Sequence, residues 1–362
     1  MSHDRILIMA GGTGGHVYPA LAVADYLRDR GAGIRWLGTE TGLEARVVPA
    51  KGYSLSTIKV AGLRGKSLMS LLLAPFMLFA AILHALVLIR QFKPDAVLGM
   101  GGYVSGPGGV AAWLLRVPLY IHEQNAIAGL TNRLLAPLSK MIMQGFPDTF
   151  DAGSRVKTTG NPVRSEIIRS AKVETRNAND EKDHVCLLVL GGSLGARALN
   201  QTVPSALKCL SAECHFQIWH QTGTQHFQET KGIYEKFDLH EARVDAYIED
   251  MAGAYEWADL VLCRAGALTL AELCVSGLAS ILVPYPHAVD DHQTVNARYL
   301  SDKGAAILLP ETDLQADTLA TLLSGLCNAR SRLHDMAAKT RQLAQVDATV
   351  QVAQICLGGA SA

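Results

Sequence analysis

The residues best suited to chemistry follow the first apolar run of the chain. After the apolar residues 6–10, residues 11–15 contain four glycines and a threonine, and His16 comes next. Glycine lets the backbone adopt positive φ and approach a ligand closely, and the first N–H groups of a following helix can bind an anion. The same helix terminus would lower the pKa of His16, which suits a general base facing a cleft. A purely structural histidine is the alternative.

Two standard nucleotide motifs do not fit this turn. A dinucleotide fingerprint read from Gly12 and Gly14 needs glycine or alanine at position 17, which is Val17. The chain also has no G-x-x-x-x-G-K-[ST] motif, and therefore no P-loop. A second glycine turn, residues 101–109, is suited to a pyrophosphate, and Tyr103 within it could stack on a sugar.

A second candidate site lies in the other half of the chain. An apolar run that ends at Cys263 leads into a helical pattern with Thr269 in its first turn and Glu272 on nearly the same face. Free N–H groups there could hold a diphosphate, and the Glu272 carboxylate could accept two ribose hydroxyls. Thr269 and Glu272 also match a capping box, which needs no ligand. The local sequence leaves both interpretations open.

The loop after the next apolar run is crowded with polar side chains. Gln293 and Asn296 carry amides that both donate and accept, as recognition of sugar hydroxyls requires. Two histidines and two aspartates could hold a metal ion, but they lack a standard ligand spacing, and a solvated loop is the alternative: His287, Asp290, Asp291 and His292.

The candidate residues stand where the strands of an α/β fold would end. Short apolar runs alternate with helical patterns in both halves, which predicts doubly wound parallel sheets. The pattern around Gly11 returns at Gly191, 180 positions later. The sequence therefore predicts two Rossmann-like domains facing a cleft that their glycine turns line. We place them at residues 1–163 and 164–340, with a polar connector at 173–184 and a tail, 341–362, that returns to the first domain.

Composition narrows the class of protein. The 362 residues are 49% hydrophobic and 18% charged, which indicates a folded globular protein. Lys plus Arg and Asp plus Glu both number 33, and a net charge of zero argues against a general nucleic-acid binder. Seven cysteines without a CxxC pair indicate reduced thiols in a cytosolic protein and no metal site.

One segment departs from this balance. Residues 68–89 carry no charge, and residues 46–94 contain seven basic and no acidic side chains. We reject a membrane crossing, because Pro75 interrupts the segment, Ser70 and His84 add polarity, and both flanks look like strands of one parallel sheet. We predict a crossover helix whose excess apolar surface docks on an anionic membrane, with a wholly buried helix pair as the alternative.

Together these motifs resemble a known family. The segments GGTGGH, GMGGYVSGPGG, HEQNAIAGLTNR, GNPVR, GGSLGA, CRAGALTLAE and HQTVNA follow in order from residue 11 to 297. They are similar to the MurG family of bacterial N-acetylglucosaminyltransferases. Where that family leads us to expect proline before SILVP, this chain has Ala279. The resemblance implies a GT-B fold and a peripheral protein on the cytoplasmic face of the bacterial inner membrane, active in peptidoglycan and cell-wall synthesis.

The resemblance also implies the reaction. N-acetylglucosamine would pass from UDP-N-acetylglucosamine to the muramyl 4-hydroxyl of the lipid-linked muramyl-pentapeptide, with inversion and without a metal or other cofactor. His16 would be essential and Glu123 the rival general base, although Glu123 could instead hold its loop in shape. The implied contacts of the sugar nucleotide are Thr13, Gly14, Gly15, Asn125, Arg164, Ser193, Ile248, Ala267, Leu268, Thr269, Leu270, Ala271, Glu272 and Gln293.

Three other functions compete with this one. A UDP-N-acetylglucosamine 2-epimerase shares the two-domain fold and the donor but needs no basic, apolar first domain. A dinucleotide-dependent oxidoreductase is disfavoured by the failed fingerprint. A non-catalytic membrane scaffold would require the complete loss of sugar transfer.

Overall fold

The computed structural model describes residues 4–60, 68–171, 183–192, 194–211 and 214–358. The chain divides into two compact units, Met1–Arg164 with Val346–Ala362 and Ser165–Gln345. The predicted connector at 173–184 lies outside the described residues except for its last two positions. The family resemblance implies that the first domain serves the lipid-linked acceptor and membrane docking and that the second binds the sugar nucleotide, and these roles stay predictions.

The first unit is built on a seven-stranded parallel sheet in the order β3-β2-β1-β4-β5-β6-β7. Its strands are β1 (Arg5–Met9), β2 (Gly33–Gly38), β3 (Ser54–Thr57), β4 (Ala96–Gly99), β5 (Leu119–Glu123), β6 (Met141–Gln144) and β7 (Val156–Thr158). Its helices are α1 (Gly14–Asp29), α2 (Leu43–Ala50), α3 (Leu68–Phe92), α4 (Ser105–Leu114) and α5 (Leu130–Leu135). The order reverses direction after β1, so the carboxyl ends of β1 and β4 mark the point where a doubly wound sheet binds ligands.

The second unit has a six-stranded parallel sheet in the order β10-β9-β8-β11-β12-β13. Its strands are β8 (Val185–Leu190), β9 (Phe216–Gln221), β10 (Arg243–Asp245), β11 (Leu260–Cys263), β12 (Ala279–Leu282) and β13 (Ala306–Leu308). Its helices are α6 (Ser165–Ser170), α7 (Arg197–Lys208), α8 (Phe227–Lys236), α9 (Met251–Trp257), α10 (Ala267–Ser276), α11 (His292–Ser301), α12 (Ala316–Asn328) and α13 (Arg330–Gln342).

Burial explains why these segments became strands. Every residue of β4, β5, β8, β11 and β12 is buried, as expected for parallel strands covered by helices on both faces. The last helix, α14 (Ala348–Cys356), packs against α1, and Val352, Ala353, Ile355 and Cys356 join the core of the first unit.

Helix α3 differs from its prediction in one respect. It is a single helix of 25 residues that continues through Pro75, so the expected interruption is wrong. Its stretch Leu73–Phe92 is long and apolar enough to cross a membrane by length and composition, with a mean hydropathy of 2.1. Only 17% of that stretch is buried, which contradicts the wholly buried alternative. The flanking strands β3 and β4 belong to one sheet, so a crossing would have to pull that sheet apart.

Candidate functional site

The first glycine turn joins β1 to α1 and carries His16 into the first turn of the helix. Thr13 is the residue before the helix, and its side chain caps no backbone N–H. Instead the Thr13 hydroxyl lies 3.5 Å from His16 Nδ1. Because a helix leaves its first N–H groups without intrahelical partners, Gly14 and Gly15 present donors beside a half-buried imidazole.

The second glycine turn packs directly on the first. Gly102 has φ of +83°, and a Cβ there would overlap the carbonyl oxygen of Gly11. Gly101 has φ of +97°, and its Cβ would lie 2.8 Å from His16 Cδ2. The Ser105 hydroxyl is within 3.1 Å of the Met9 carbonyl oxygen and 2.9 Å of the Gly101 oxygen, which ties the start of α4 to the end of β1. The structure therefore brings the two predicted turns and His16 together.

A buried carboxylate that the sequence analysis did not single out fixes the first turn. Glu44 is fully buried in the first turn of α2, and its Oε2 accepts the Gly12 N–H at 3.0 Å. Its Oε1 accepts the Thr39 N–H at 2.9 Å and the Thr39 hydroxyl at 2.7 Å. Burial favours the protonated acid, but these hydrogen bonds outweigh it and hold the pKa of Glu44 below its usual range.

Glu123 ends β5 and accepts four hydrogen bonds from the loop that follows. Its Oε1 accepts from Asn125 N at 3.0 Å and Asn125 Nδ2 at 3.3 Å. Its Oε2 accepts from Gly129 N at 3.0 Å and Asn132 Nδ2 at 2.9 Å. Only 3% of Glu123 is exposed, and both of its carboxylate oxygens accept hydrogen bonds from the loop. The geometry favours the loop-holding role over proton abstraction.

His122, the residue before Glu123 in β5, also has a structural role. His122 is completely buried, and its Nε2 lies 3.0 Å from the Gly160 carbonyl oxygen, which can only accept, so Nε2 carries the proton. Burial lowers the pKa of His122 to about 4, which keeps the ring neutral.

Arg164 lies close to the first turn of α1. Its guanidinium carbon is 5.7 Å from the centre of the Tyr18 ring, and a Cβ on Gly14 would lie 3.0 Å from Tyr18 Cε2. The Tyr18 ring thus lies near both the Arg164 cation and Gly14 in the first turn of α1.

In the second unit, the turn after β11 leads directly into α10. The helix begins at Ala267 with Gly266 as the preceding cap residue, so Thr269 is the third helical residue and cannot be an N-cap. The capping-box alternative is therefore wrong. Glu272 is buried, and its Oε2 accepts the Tyr255 hydroxyl at 2.9 Å. Of the predicted contact run, Leu270 is buried as well, and its N–H donates to the Gly266 carbonyl oxygen at 3.0 Å.

A glutamine links the predicted contact Ile248 to the glycine turn after β8, at the same edge of this sheet. Gln221, the last residue of β9, donates to the Gly192 carbonyl oxygen at 3.0 Å and accepts the Ile248 N–H at 2.9 Å. The Ile248 N–H is thus engaged within the protein, and a ligand would have to use its carbonyl oxygen. Ser193 lies outside the described residues.

Polar side chains that follow β12 form hydrogen bonds with the backbone of the protein itself. Gln293 Oε1 accepts the Tyr285 N–H at 2.9 Å, and Asn296 is buried and donates to the Ala265 carbonyl oxygen at 3.2 Å. Asn296 therefore supports the turn before α10, and the expected contact with sugar hydroxyls is wrong for it. In the described part of the chain, no group of three or more His, Cys, Asp or Glu side chains could hold a metal ion.

Three buried side chains of these sites were not predicted from the sequence: Glu44, Gln221 and Tyr255. Glu44 reaches Gly12 across 32 positions, and Tyr255 reaches Glu272 across 17. Only the apolar character of the surrounding strands could have indicated that an acid such as Glu44 needed internal donors. No pattern in the sequence identified those donors.

Two family models together match most of the chain. The glycosyltransferase family 28 N-terminal domain matches residues 6–144, and the C-terminal domain of the same family matches residues 186–352. The first range extends from β1 to β6 and the second from β8 to β13, and both include their glycine turns, whereas β7 lies outside them.

Curated relatives match over their full length. The chain is 52% identical over 359 residues to the UDP-N-acetylglucosamine–N-acetylmuramyl-(pentapeptide) pyrophosphoryl-undecaprenol N-acetylglucosamine transferase of Methylococcus capsulatus, and 99% of each chain is covered. It is 51% identical to the protein of that name from Nitrosococcus oceani, again over 99% of both.

Solved structures confirm the fold class, two α/β domains of the GT-B type. MurG of Acinetobacter baumannii is 41% identical with a TM-score of 0.82, covering 98% of this chain and 99% of that one. A UDP-N-acetylglucosamine 2-epimerase has a TM-score of 0.68 at 10% identity and covers 98% of this chain and 95% of that one, a likeness of fold alone. The chain therefore belongs to the MurG family of glycosyltransferases, within glycosyltransferase family 28.

Proposed function

We propose that this protein transfers N-acetylglucosamine from UDP-N-acetylglucosamine to the 4-hydroxyl of undecaprenyl-diphosphoryl-N-acetylmuramyl-pentapeptide. The supporting observation is identity of 50% or more, over nearly the whole chain, with relatives that carry the name of this transferase. The product is the lipid-linked disaccharide precursor of peptidoglycan. The anomeric centre inverts, because one direct displacement breaks the bond to UDP as it forms the bond to the acceptor oxygen.

We assign the nucleotide to the second unit. The start of α10 offers N–H donors to the diphosphate, as any helix N-terminus does. Glu272, oriented by the Tyr255 hydroxyl, would accept the ribose hydroxyls. Thr269 and Gln293 complete the assigned polar contacts. These roles suit a leaving group whose negative charge the protein stabilises by fixed dipoles rather than by a cation.

We assign the acceptor to the first unit. The paired glycine turns and the N-terminus of α1 form a surface of backbone donors that fits a diphosphate. His16 stands in that surface, and its imidazole takes the proton of the attacking hydroxyl. Glu123 becomes a positioning residue in this scheme, because its four hydrogen bonds hold the loop of Asn125. The predicted donor contacts Thr13, Gly14, Gly15, Asn125 and Arg164 belong to this unit and stay predictions.

The first unit also carries the feature that suits a lipid-linked substrate. Helix α3 exposes large apolar side chains, and the end of α4 adds two more: Leu73, Phe76, Met77, Leu78, Phe79, Leu83, Val87, Trp113 and Leu114. We call these residues the apolar face. Arg90 and Lys93, at the end of the helix, are exposed and basic. This combination favours peripheral attachment to the anionic, cytoplasmic side of the inner membrane.

The deciding experiment is a transfer assay with radiolabelled UDP-N-acetylglucosamine and a short-chain lipid analogue of the muramyl-pentapeptide acceptor. We expect label in the lipid product and release of UDP only when the acceptor is present. Incubation with the sugar nucleotide alone tests the epimerase alternative. Formation of UDP-N-acetylmannosamine without transfer to the lipid would contradict the proposed function.

A further inference from the structure

The Gly12 peptide of the first turn points into the protein, toward Glu44. Gly12 has φ of +92°, a conformation that glycine adopts at no steric cost. Its N–H donates to Glu44 Oε2 at 3.0 Å. Because this donor is committed inward, the orientation of the peptide between Gly11 and Gly12 depends on the Glu44 carboxylate.

The carboxylate is itself held in one orientation. The Thr39 hydroxyl accepts the Gly42 N–H at 3.1 Å and donates to Glu44 Oε1 at 2.7 Å, while the Thr39 N–H donates to the same oxygen. Each of these hydrogen bonds has a fixed direction, and an ionised carboxylate only accepts. Glu44 therefore connects the turn after β1 to the loop between β2 and α2 through acceptors alone.

Three glycines leave the space that this side chain fills. A Cβ on Gly11 would lie 2.6 Å from Glu44 Oε1, and one on Gly38 would lie 2.6 Å from Glu44 Cγ. A Cβ on Gly42 would overlap the carboxylate. The turn, the end of β2 and the start of α2 close around Glu44, so the turn cannot shift without disturbing it.

The first turn also packs against the second glycine turn, which contacts His16. Gly102 approaches the Gly11 carbonyl so closely that only a hydrogen fits between them, and the His16 ring lies against Gly101. Movement of the Gly11–Gly12 peptide would thus displace His16 and the first N–H groups of α1.

We propose that Glu44 is a positioning residue of the sugar transfer, acting through the Gly12 N–H on the placement of His16 and the N-terminus of α1. This inference rests on the proposed function of the site. A displacement of about 1 Å at a catalytic group can lower a rate by about 100-fold. Glu44 therefore affects kcat rather than nucleotide affinity.

The test compares Glu44→Gln with Thr39→Val. The glutamine amide keeps the size of the side chain, and its oxygen can still accept from Thr39, but its NH₂ then faces the Gly12 N–H. Thr39→Val removes the hydroxyl's bond to Glu44 Oε1 and its bond from the Gly42 N–H, and leaves both backbone bonds to Glu44 in place. For Glu44→Gln we expect kcat to fall about 10- to 100-fold while the Kd of UDP stays within about twofold. For Thr39→Val we expect kcat within about threefold of the wild type.

Two measurements separate a positioning role from a merely structural one. Thermal unfolding compares the stability of the variants, and the amide proton shift of Gly12 reports its hydrogen bond without any need for activity. We expect that resonance to move upfield in Glu44→Gln and to stay in place in Thr39→Val. Equal kcat for the two folded variants, or an unmoved Gly12 resonance, would overturn the role of Glu44. A wild-type protein that binds UDP but transfers no sugar would instead overturn the proposed function.

Discussion

His16 and Glu123 differ most in how deeply they are buried. His16 is half-buried in a turn between two glycine-rich segments, with the Thr13 hydroxyl 3.5 Å from Nδ1. Glu123 is buried and accepts four hydrogen bonds from residues up to nine positions away. A base must accept a proton from a substrate hydroxyl within hydrogen-bond reach, which favours the more accessible group.

We expect His16→Ala to lower kcat by about 10²- to 10⁴-fold, the usual contribution of a general base. The free energy of unfolding should change by less than about 0.5 kcal/mol, because the ring is partly exposed. Steady-state kinetics with the lipid analogue and thermal unfolding measure the two effects.

Glu123→Gln is the matched comparison. Its amide nitrogen cannot accept, so the variant leaves loop donors such as the Gly129 N–H without a partner, at about 1–3 kcal/mol of stability. We expect a smaller loss of kcat than for His16→Ala. If His16→Ala kept most of its kcat while Glu123→Gln lost several orders of magnitude at unchanged stability, the assignment of the base would be reversed.

At the scale of elements, the two glycine turns have different reasons for lacking a side chain. Gly12 has positive φ, but a Cβ there would have no heavy atom within 4 Å. Gly102 has positive φ as well, and its Cβ would overlap the Gly11 backbone. Conformation alone therefore requires glycine at position 12, whereas conformation and close contact both require it at position 102.

Because of this difference, alanine should destabilise the protein less at position 12 than at position 102. Gly12→Ala should destabilise the protein by about 1–2 kcal/mol, the strain of a left-handed alanine. Gly102→Ala should cost about 3 kcal/mol or more, because the backbones must also separate. Urea unfolding of the two variants checks the order, and equal midpoints would show that the turns do not pack as described.

The apolar face of α3 and α4 makes a prediction at the same scale. Replacing both Phe76 and Phe79, which are 74% and 62% exposed, by serine should weaken binding to anionic vesicles by about 10-fold or more. Val346→Ser changes an exposed apolar residue outside these helices and serves as the control. Vesicle sedimentation measures the binding, which should also fall as salt is raised. Equal binding to neutral vesicles at low and high salt would exclude the electrostatic contribution.

The sequence was most informative where a signal is local. Apolar runs predicted the buried strands of both sheets, and glycine spacing predicted the turns at β1, β4 and β8. The edge strand β7 was missed, because Val156–Thr158 is largely exposed and has no apolar run. The hydrogen bonds of Glu44 were missed for another reason, since they join residues that only the folded sheet brings together.

At the scale of the whole molecule, each unit contains a buried neutral histidine. Burial lowers the pKa of His122 in the first unit to about 4 and that of His220 in the second to about 3. The Tyr234 hydroxyl donates a hydrogen bond to His220 Nδ1 at 2.9 Å, and His220 Nε2 donates to Asn200 Oδ1 at 3.1 Å. Both imidazole rings are therefore neutral in the folded protein, and low pH disfavours that neutral form.

The sign of the pH effect follows from linkage. Below pH 6.5, the ordinary pKa of histidine, these side chains bind protons in the unfolded chain but stay neutral in the folded chain. Their contribution to stability is therefore complete above pH 6.5 and is lost as the pH drops toward 4. Each histidine should remove about 1.4 kcal/mol per pH unit in that range. Denaturant unfolding at several pH values measures the slope, and His220→Gln should reduce it while the exposed His240→Gln should not. An unchanged slope in His220→Gln would contradict this account.

The return of α14 to the first unit has a consequence for biosynthesis. The turn that carries His16 leaves the ribosome early, but the helix that packs against α1 is translated after the whole second unit. Val352, Ala353, Ile355 and Cys356 fill the core beside α1, so that core stays open during most of translation. His16, the base that we propose, therefore gains the packing of α14 against α1 only after the second unit has been translated.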